Sequence, residues 1–375
     1  MLASVVSMID QFNMSNIKIL IKQGYEVDVA ANFEIGNTSS KQRVEEFKKE
    51  LVELNVLYYN VDFSRKITNI LANIRAYKKI KNLMLKNNYE FVHCHSPIGG
   101  VCGRIAAHST NTSVIYTAHG FHFFKGAPLK NWLLFYPVER FLARYTDLLI
   151  TINKEDYKRA QNFKAKKVMY VPGIGVDTKK INEIIVDKSE KRREIGVPED
   201  SFVILSVGEL NKNKNHETVI KSIAKLNNPN IYYVICGQGK LENYLKDLIK
   251  KLQLEKQIKL LGYRSDIAEI SKVSDIFAFP SFREGLSVAL MEAMAAGLEV
   301  ACSKIRGNTD LIEEDKGGYL SEPDDVDKFA ENIKKSITCI EKREAMAEHN
   351  VEVIKVFDSS NVDKKMEKIY EGMIK

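Results

Sequence analysis

Glu284 and Glu292 stand eight residues apart in the stretch Pro280-Ser-Phe-Arg-Glu-Gly-Leu-Ser-Val-Ala-Leu-Met-Glu-Ala-Met-Ala-Ala-Gly297. Eight residues is not a same-face interval on a helix. The two carboxylates therefore make sense with Glu284 in a loop and Glu292 one to two turns inside the helix that follows. So placed, they address different parts of one extended ligand. The backbone N–H groups of Gly285, Leu286 and Ser287 fall at the start of that helix, where unpaired donors and the helix dipole favour an anion. A glutamate entering a helix can also serve only to compensate the terminal charge, a role worth about 0.3–1 kcal/mol.

The remaining constellations are weaker. Gly237-Gln-Gly239 is a glycine-rich turn that lacks the third glycine of a dinucleotide fingerprint, Glu242 and Asn243 following instead. A tight strand-to-helix turn explains it as well as phosphate contact does. His93-Cys94-His95 invites a metal reading, but on a buried strand 93 and 95 face one side while 94 faces the other, and no further ligands cluster nearby, so no metal is expected. Asp325-Val-Asp327 reads as a helix start rather than a magnesium site. Ser7–Phe12 reads as a loop after a first strand. Its Asp10, Gln11 and Phe12 are acceptor-side candidates, with Asp10 suited to orient an incoming hydroxyl. His95, at a strand end, and His122 join that group. The run from His122 to Tyr136 mixes aromatics with lysines. It reads either as a segment that dips into a bilayer interface to meet a lipid-linked acceptor or as a core helix beneath a loop.

The elements that must position these groups alternate. Strand candidates in the first half are 26–31, 56–59, 91–95, 113–118, 148–152 and 168–171, and residues 2–6 read as the last part of a strand whose first residues are missing upstream. A 3.6-periodic segment over 67–85 shows Ile67, Ile70, Leu71, Ile74, Tyr77 and Leu83-Met84 along one side and Lys78, Lys79 and Lys81 largely on the other. The second half repeats the plan, with strands at 202–207, 232–236, 258–261, 276–279 and 298–302 and helices at 216–226, 241–252 and 287–296. Such alternation predicts an α/β fold of two doubly wound, Rossmann-like domains. The expected boundaries are 1–172, a hinge region over 173–197, a second domain over 198–355, and a C-terminal helix in 356–375 packing back on the first domain. Ligand chemistry then belongs in loops directly after strands.

With 375 residues, 45% of them apolar and 28% charged, the chain is read as globular rather than disordered. Its longest apolar run near the aromatic cluster, Trp132–Val138, is far short of the roughly 20 residues of a span. The start lacks the pattern of an export signal. Five scattered cysteines without CxxC spacing imply neither disulfides nor zinc and fit a reducing cytosol. The charge of +7 is uneven: residues 1–175 carry +10 and the rest −3. A basic first half predicts an anionic partner there, a phosphate-bearing acceptor or a membrane surface. Nucleic acid is not expected, because no recognisable binding motif accompanies the dispersed basic residues.

The Glu-x7-Glu stretch resembles the hallmark of the family-four retaining glycosyltransferases of GT-B fold, and specifically their bacterial capsule and exopolysaccharide branch. The resemblance spans essentially the whole chain and includes Val207–His216, Cys236–Gly239, Leu261–Arg264, Ala118–His122 and Ser303–Gly307. It implies two Rossmann-like domains facing across a cleft, a nucleotide-sugar cosubstrate (a UDP-sugar by preference), a saccharide or lipid-linked acceptor, and neither cofactor nor metal. It implies a cytoplasmic enzyme, peripheral on the inner face of the plasma membrane. By resemblance Glu292 accepts hydrogen bonds from the ribose, Glu284 contacts the transferred sugar, and Lys214 balances the diphosphate. Tyr263 and Arg264 flank the base, and His119 reaches the donor sugar from the other domain. Gly208, Glu209, Gly237, Gly285, Leu286, Ser287 and Arg306 complete the donor set.

Two positions depart from the family pattern. Glu209 stands where an arginine is usual, and a carboxylate beside a diphosphate is repulsive unless turned away or paired. Lys214 first, then Arg306, with Lys212 nearby, are the compensating candidates. Glu299 stands where a proline is common. Alternatives to transfer are a nucleotide-sugar epimerase of the same architecture, which needs no acceptor, and a non-catalytic nucleotide-sugar-binding protein. A nicotinamide oxidoreductase lacks its fingerprint glycines.

Overall fold

The computed structural model describes residues 1–35, 39–64 and 69–373. The chain divides into two compact units, Met1–Ile174 with Asn361–Lys375, and Gly175–Ser360.

In the first unit six short strands run parallel: β1 (Asp28–Ala31), β2 (Leu57–Asn60), β3 (Phe91–His95), β4 (Ser113–Ala118), β5 (Leu148–Thr151) and β6 (Lys167–Tyr170). β2 lies beside β1, and β3-β4-β5-β6 follow in order. Leu2 alone joins the two sets, bridging Ala30 and Cys94. The strand expected over residues 2–6 thus contracts to one bridging residue, because Val5 already precedes a helix. The helices are α1 (Val6–Phe12), α2 (Met14–Lys22), α3 (Lys41–Glu53), α4 (Ile70–Asn87), α5 (Pro97–Thr110), α6 (Leu129–Leu142) and α7 (Lys154–Ala160). Residues 7–12, expected as a loop, are helical.

Alternate strand residues separate two helical layers. Ile9, Ile17, Phe47 and Leu51 of α1 to α3 pack on Val29, Ile115 and Ile150. Ala76, Ile80 and Met84 of α4, Cys102 and Ala106 of α5, and Trp132 and Tyr136 of α6 pack on Cys94, Val114 and Tyr116 from the other side. This corrects the expected face of α4 in its first two turns, while Met84 is buried as expected. The helix's buried residues are Ala72, Ala76, Ile80 and Met84, while Ile70, Leu71 and Ile74 are exposed; Ile67 lies outside the described residues. Helix α4 packs along α5, whose glycines face the sheet: a Cβ on Gly100 would meet the Tyr116 ring and one on Gly103 the Cys94 and Leu2 side chains. One ion pair crosses this layer: Arg104 of α5, fully buried, sits 2.8 Å from Glu139 of α6 with its guanidinium 4.1 Å from the Tyr116 ring centroid.

In the second unit all six strands are parallel: β7 (Phe202–Val207), β8 (Ile231–Cys236), β9 (Ile258–Gly262), β10 (Ile276–Phe279), β11 (Glu299–Ser303) and β12 (Gly318–Ser321). Their order, β12-β11-β10-β7-β8-β9, is that of the dinucleotide-binding fold, with the reversal between β7 and β10. The helices are α8 (Thr178–Asn182), α9 (Lys188–Glu194), α10 (His216–Leu226), α11 (Glu242–Lys251), α12 (Ile267–Lys272), α13 (Val288–Ala295), α14 (Asn308–Leu311), α15 (Val326–Thr338) and α16 (Ile340–Ile354). Much of the stretch expected as a hinge is helix built into this unit. Buried Arg192 of α9 donates to the carbonyls of Val273 and Ser201 and to Asp275. Finally α17 (Ser359–Glu371) seats Val362, Met366, Ile369 and Tyr370 in the core of the first unit.

Candidate active site

The loops after β7 and β10 meet at the switch point of the second unit. Asn215 takes a left-handed φ of 54°, a conformation asparagine tolerates, and its amide donates to the carbonyls of Pro280 and Pro323. Asn213 donates to the carbonyl of Arg283, and Phe282 N–H donates back to Asn213. Between these clamps Lys214 is held in place. Its ammonium lies 2.8 Å from the Glu284 carboxylate and 4.5 Å from the Phe279 ring centroid. Both side chains are mostly buried, 18% and 13% exposed. A charge pair so shielded is screened less than a surface pair.

Two neighbouring loops complete the arrangement by close backbone approach. A Cβ on Gly237 would fall 1.9 Å from the Gly208 carbonyl oxygen, and one on Gly307 would fall 2.4 Å from that of Gly285. Glycine at these places lets the turns after β8 and β11 lie against those after β7 and β10. Arg306, 7% exposed, donates from Nε to the Glu284 carbonyl at 3.2 Å. Arg306 therefore supports the backbone of the glutamate loop. Ser287 caps α13, its hydroxyl accepting from Leu290 N–H, and Gly285 and Leu286 lie just ahead of it. Glu292, in the second turn, is half-buried, and burial raises its carboxyl pKa.

Other members of the expected donor set lie further out. Tyr263 is 77% exposed. Arg264 pairs with Asp266 and Glu194, each at 2.5 Å, and those hydrogen bonds push its guanidinium pKa up. Glu209 and Lys212 are exposed. The charge expected to offset Glu209 is, in Lys214, already paired with Glu284.

The first unit places histidines at the ends of β3 and β4. His95 Nδ1 and His119 Nε2 are 3.0 Å apart, and the two rings help line a small cavity with Phe12, Thr117 and Asp363. The His93 ring lies 4.1 Å from that of His95, centroid to centroid, and its two nitrogens meet the hydroxyls of Tyr370 of α17 at 2.9 Å and Thr117 at 2.8 Å. Burial lowers the pKa of His119 to about 4 and holds His95 well below the usual histidine range. Both rings are neutral at pH 7. The five acceptor-side residues do not form one cluster. Phe12 and His95 do meet, but Asp10 binds Arg43 of α3 through both oxygens, Gln11 is exposed, and His122 stacks on Phe135 at 4.5 Å. Among the described residues no three His, Cys, Asp or Glu side chains are grouped to hold a metal ion. A cavity of about 580 Å³ lined by Tyr25, Asp28, Tyr89 and Phe91 lies at the amino ends of β1 and β3 and reaches His93.

Sequence reasoning missed Asn213, Asn215, Thr117 and Tyr370, which hold the candidate groups rather than carry chemistry. The asparagines had a signal, alternating with lysines just ahead of a helix. Tyr370 had none, since its partner His93 is 277 residues away.

Residues 187–352 match the family described as glycosyl transferases group 1, and residues 10–153 match that described as glycosyl transferase 4-like. The chain is 35% identical over 331 residues to the putative glycosyltransferase EpsD of Bacillus subtilis, covering 86% of this chain and 83% of that protein. It is 33% identical over 270 residues to the UDP-Gal:alpha-D-GlcNAc-diphosphoundecaprenol alpha-1,3-galactosyltransferase of Escherichia coli, covering 70% of each. Among solved structures, Anabaena HepE in complex with UDP and glucose superposes with a TM-score of 0.79 at 20% identity, over 99% of this chain and 98% of that one. The chain belongs to the family-four glycosyltransferases of GT-B fold.

Proposed function

We propose that this glycosyltransferase moves a sugar from a nucleoside-diphosphate sugar, a UDP-sugar by preference, to a saccharide on a lipid carrier in the synthesis of a cell-surface polysaccharide. It works with retention and without a metal, on the cytoplasmic side of a membrane it contacts peripherally. The donor and acceptor classes are those printed in the name of the Escherichia coli relative. The observation that carries the reading is the shielded Lys214–Glu284 pair at the switch point of a dinucleotide-type sheet.

In this reading the diphosphate lies on Lys214 and the amino end of α13, with Gly208 and Gly237 giving the backbone room. Glu292 takes the ribose hydroxyls, Tyr263 and Arg264 the base, and Glu284 and His119 the transferred sugar. The bond from the anomeric carbon to the phosphate oxygen breaks as the acceptor hydroxyl forms its bond on the same face, and the hydroxyl proton leaves with the phosphate. Charge growing on the departing diphosphate meets a preorganised cation and helix terminus. Neutral histidines suit hydroxyl recognition, since they accept and donate without adding charge.

Purified protein incubated with labelled nucleotide sugars and a lipid-linked saccharide, in excess chelator, is expected to label the lipid. Activity lost in chelator and restored by magnesium overturns the metal-free part. Isomerised donor without acceptor labelling overturns transfer.

A further inference from the structure

Strands β3 and β4 run side by side with His95 in register with Thr117. Side chains two apart on a strand share a face. His93, His95 and Thr117 therefore stand on one side of the sheet, and His119, just past β4, reaches that side as well. The contact between His95 Nδ1 and His119 Nε2, at 3.0 Å, needs one proton between its two nitrogens. Two N–H groups would collide there, and two lone pairs would repel. A neutral imidazole carries one N–H and one lone pair, so the second nitrogen of each ring takes the opposite role. The pair therefore has two arrangements, and both rings change together from one to the other.

The far side of His95 decides between them. Its Nε2 lies 3.1 Å from the Met1 sulfur. A thioether has lone pairs and no proton to give, so only an Nε2–H makes a hydrogen bond there. In the other arrangement the Nε2 lone pair of His95, a residue 1% exposed, would be buried against sulfur without a donor. Burial also holds both rings below their usual pKa, so neither takes the second proton that would erase the choice. Nearby polar groups of the small cavity are engaged elsewhere: Asn16 donates to Asn13, and Asp363 accepts from Ser15.

We infer that His95 is a positioning residue that fixes His119 as its Nε2–H tautomer and leaves His119 Nδ1 as a hydrogen-bond acceptor. The tautomer is assigned from the hydrogen-bond partners. An acceptor in that place selects a ligand group with a proton to offer, a sugar hydroxyl or an amide N–H. It disfavours an ether oxygen or a carboxylate, which would set lone pair against lone pair. This selection rests on the proposed function, in which His119 meets the transferred sugar; the tautomer does not.

The test is a long-range nitrogen–proton spectrum of the whole chain at neutral pH, without ligand, with nitrogen-15 in its histidines. The two tautomers give distinct patterns, and the variants His95→Asn and His119→Gln assign the two rings. Both rings are expected as single Nε2–H tautomers. A His119 ring found as Nδ1–H, or as a mixture, overturns the inference. In His95→Leu the His119 ring is expected to lose its single tautomer, and kcat/KM for the nucleotide sugar to fall ~10-fold. His95→Asn, whose side-chain oxygen replaces Nδ1 as the acceptor, is expected to keep the tautomer and stay within ~3-fold of the parent. Binding of UDP alone, which lacks the sugar, is expected to be equal in all three proteins. Equal loss of rate in both variants with weakened UDP binding marks a fold defect and overturns the positioning role. Full rate in His95→Leu after the tautomer is lost overturns the link to sugar selection. Tautomers as assigned with no transfer by the parent leave the histidine pair standing and remove the catalytic reading instead.

Discussion

The two units share a strand order but not an electrical solution. In each, the sheet reverses direction at one place, beside Leu2 and β3 in the first unit and between β7 and β10 in the second. The second unit places a charged lysine there, held by a glutamate and two asparagine clamps. The first unit places histidines there, His93 and His95 buried and His119 half-buried, their pKa values all lowered by desolvation. One topology therefore places a charged set of side chains at its switch point in one unit and an uncharged set in the other.

The sharpest way to break this comparison is Lys214→Ala. It removes the second unit's cation and leaves Glu284 buried without a partner, and kcat for transfer is expected to fall by about 10³-fold. Full activity in a quench assay with labelled donor would refute the assignment. Next, Arg104→Met strips one partner from the buried pair in the first unit and is expected to destabilise the chain by about 3–5 kcal/mol in urea unfolding. Adding Glu139→Met should restore most of that loss, because an apolar pair replaces an ionic one without leaving a charge behind.

Acid separates the two units less drastically. His119 in the first and His216 in the second each have their pKa lowered by burial to about 4. Between pH 6.5 and 4 the unfolded chain binds protons that the folded one refuses. The stability from each ring is therefore complete above pH 6.5 and lost as pH falls towards 4, up to about 3 kcal/mol per ring. His119→Gln should flatten that loss by roughly one ring's share; an unchanged pH profile would mean the ring is not buried neutral. The smallest effect is expected from Glu292→Ala, which should raise the Kd for donor nucleotide by roughly 10-fold in calorimetry through loss of hydrogen bonds to a charged group.

Much of the second unit was legible because its rules are local. The helix at 216–226 appears with its expected bounds, and the loop-then-helix placement of Glu284 and Glu292 follows from spacing alone. The first unit was less so. Helix α1 has no side-chain cap and only seven residues, so nothing in its composition distinguishes it from a loop. The buried face of α4 was misjudged because Ala72 and Ala76, weak in any hydrophobicity count, take the side turned inward while Ile70, Leu71 and Ile74 face out. The ion pair of Asp10 was not legible for another reason. Its partner Arg43 is 33 residues away, and no spacing rule links them.

The Arg104–Glu139 pair has a consequence for α6 as a whole. A helix slipping by one residue along its groove turns by about 100°, which would exchange its aromatic and leucine sides. Apolar packing alone tolerates such a roll, since both sides are greasy. A guanidinium locked between the Gly100 carbonyl, a tyrosine ring and one carboxylate does not. The pair therefore acts as a key that sets the rotational phase of α6, and with it which side chains the protein shows to the outside.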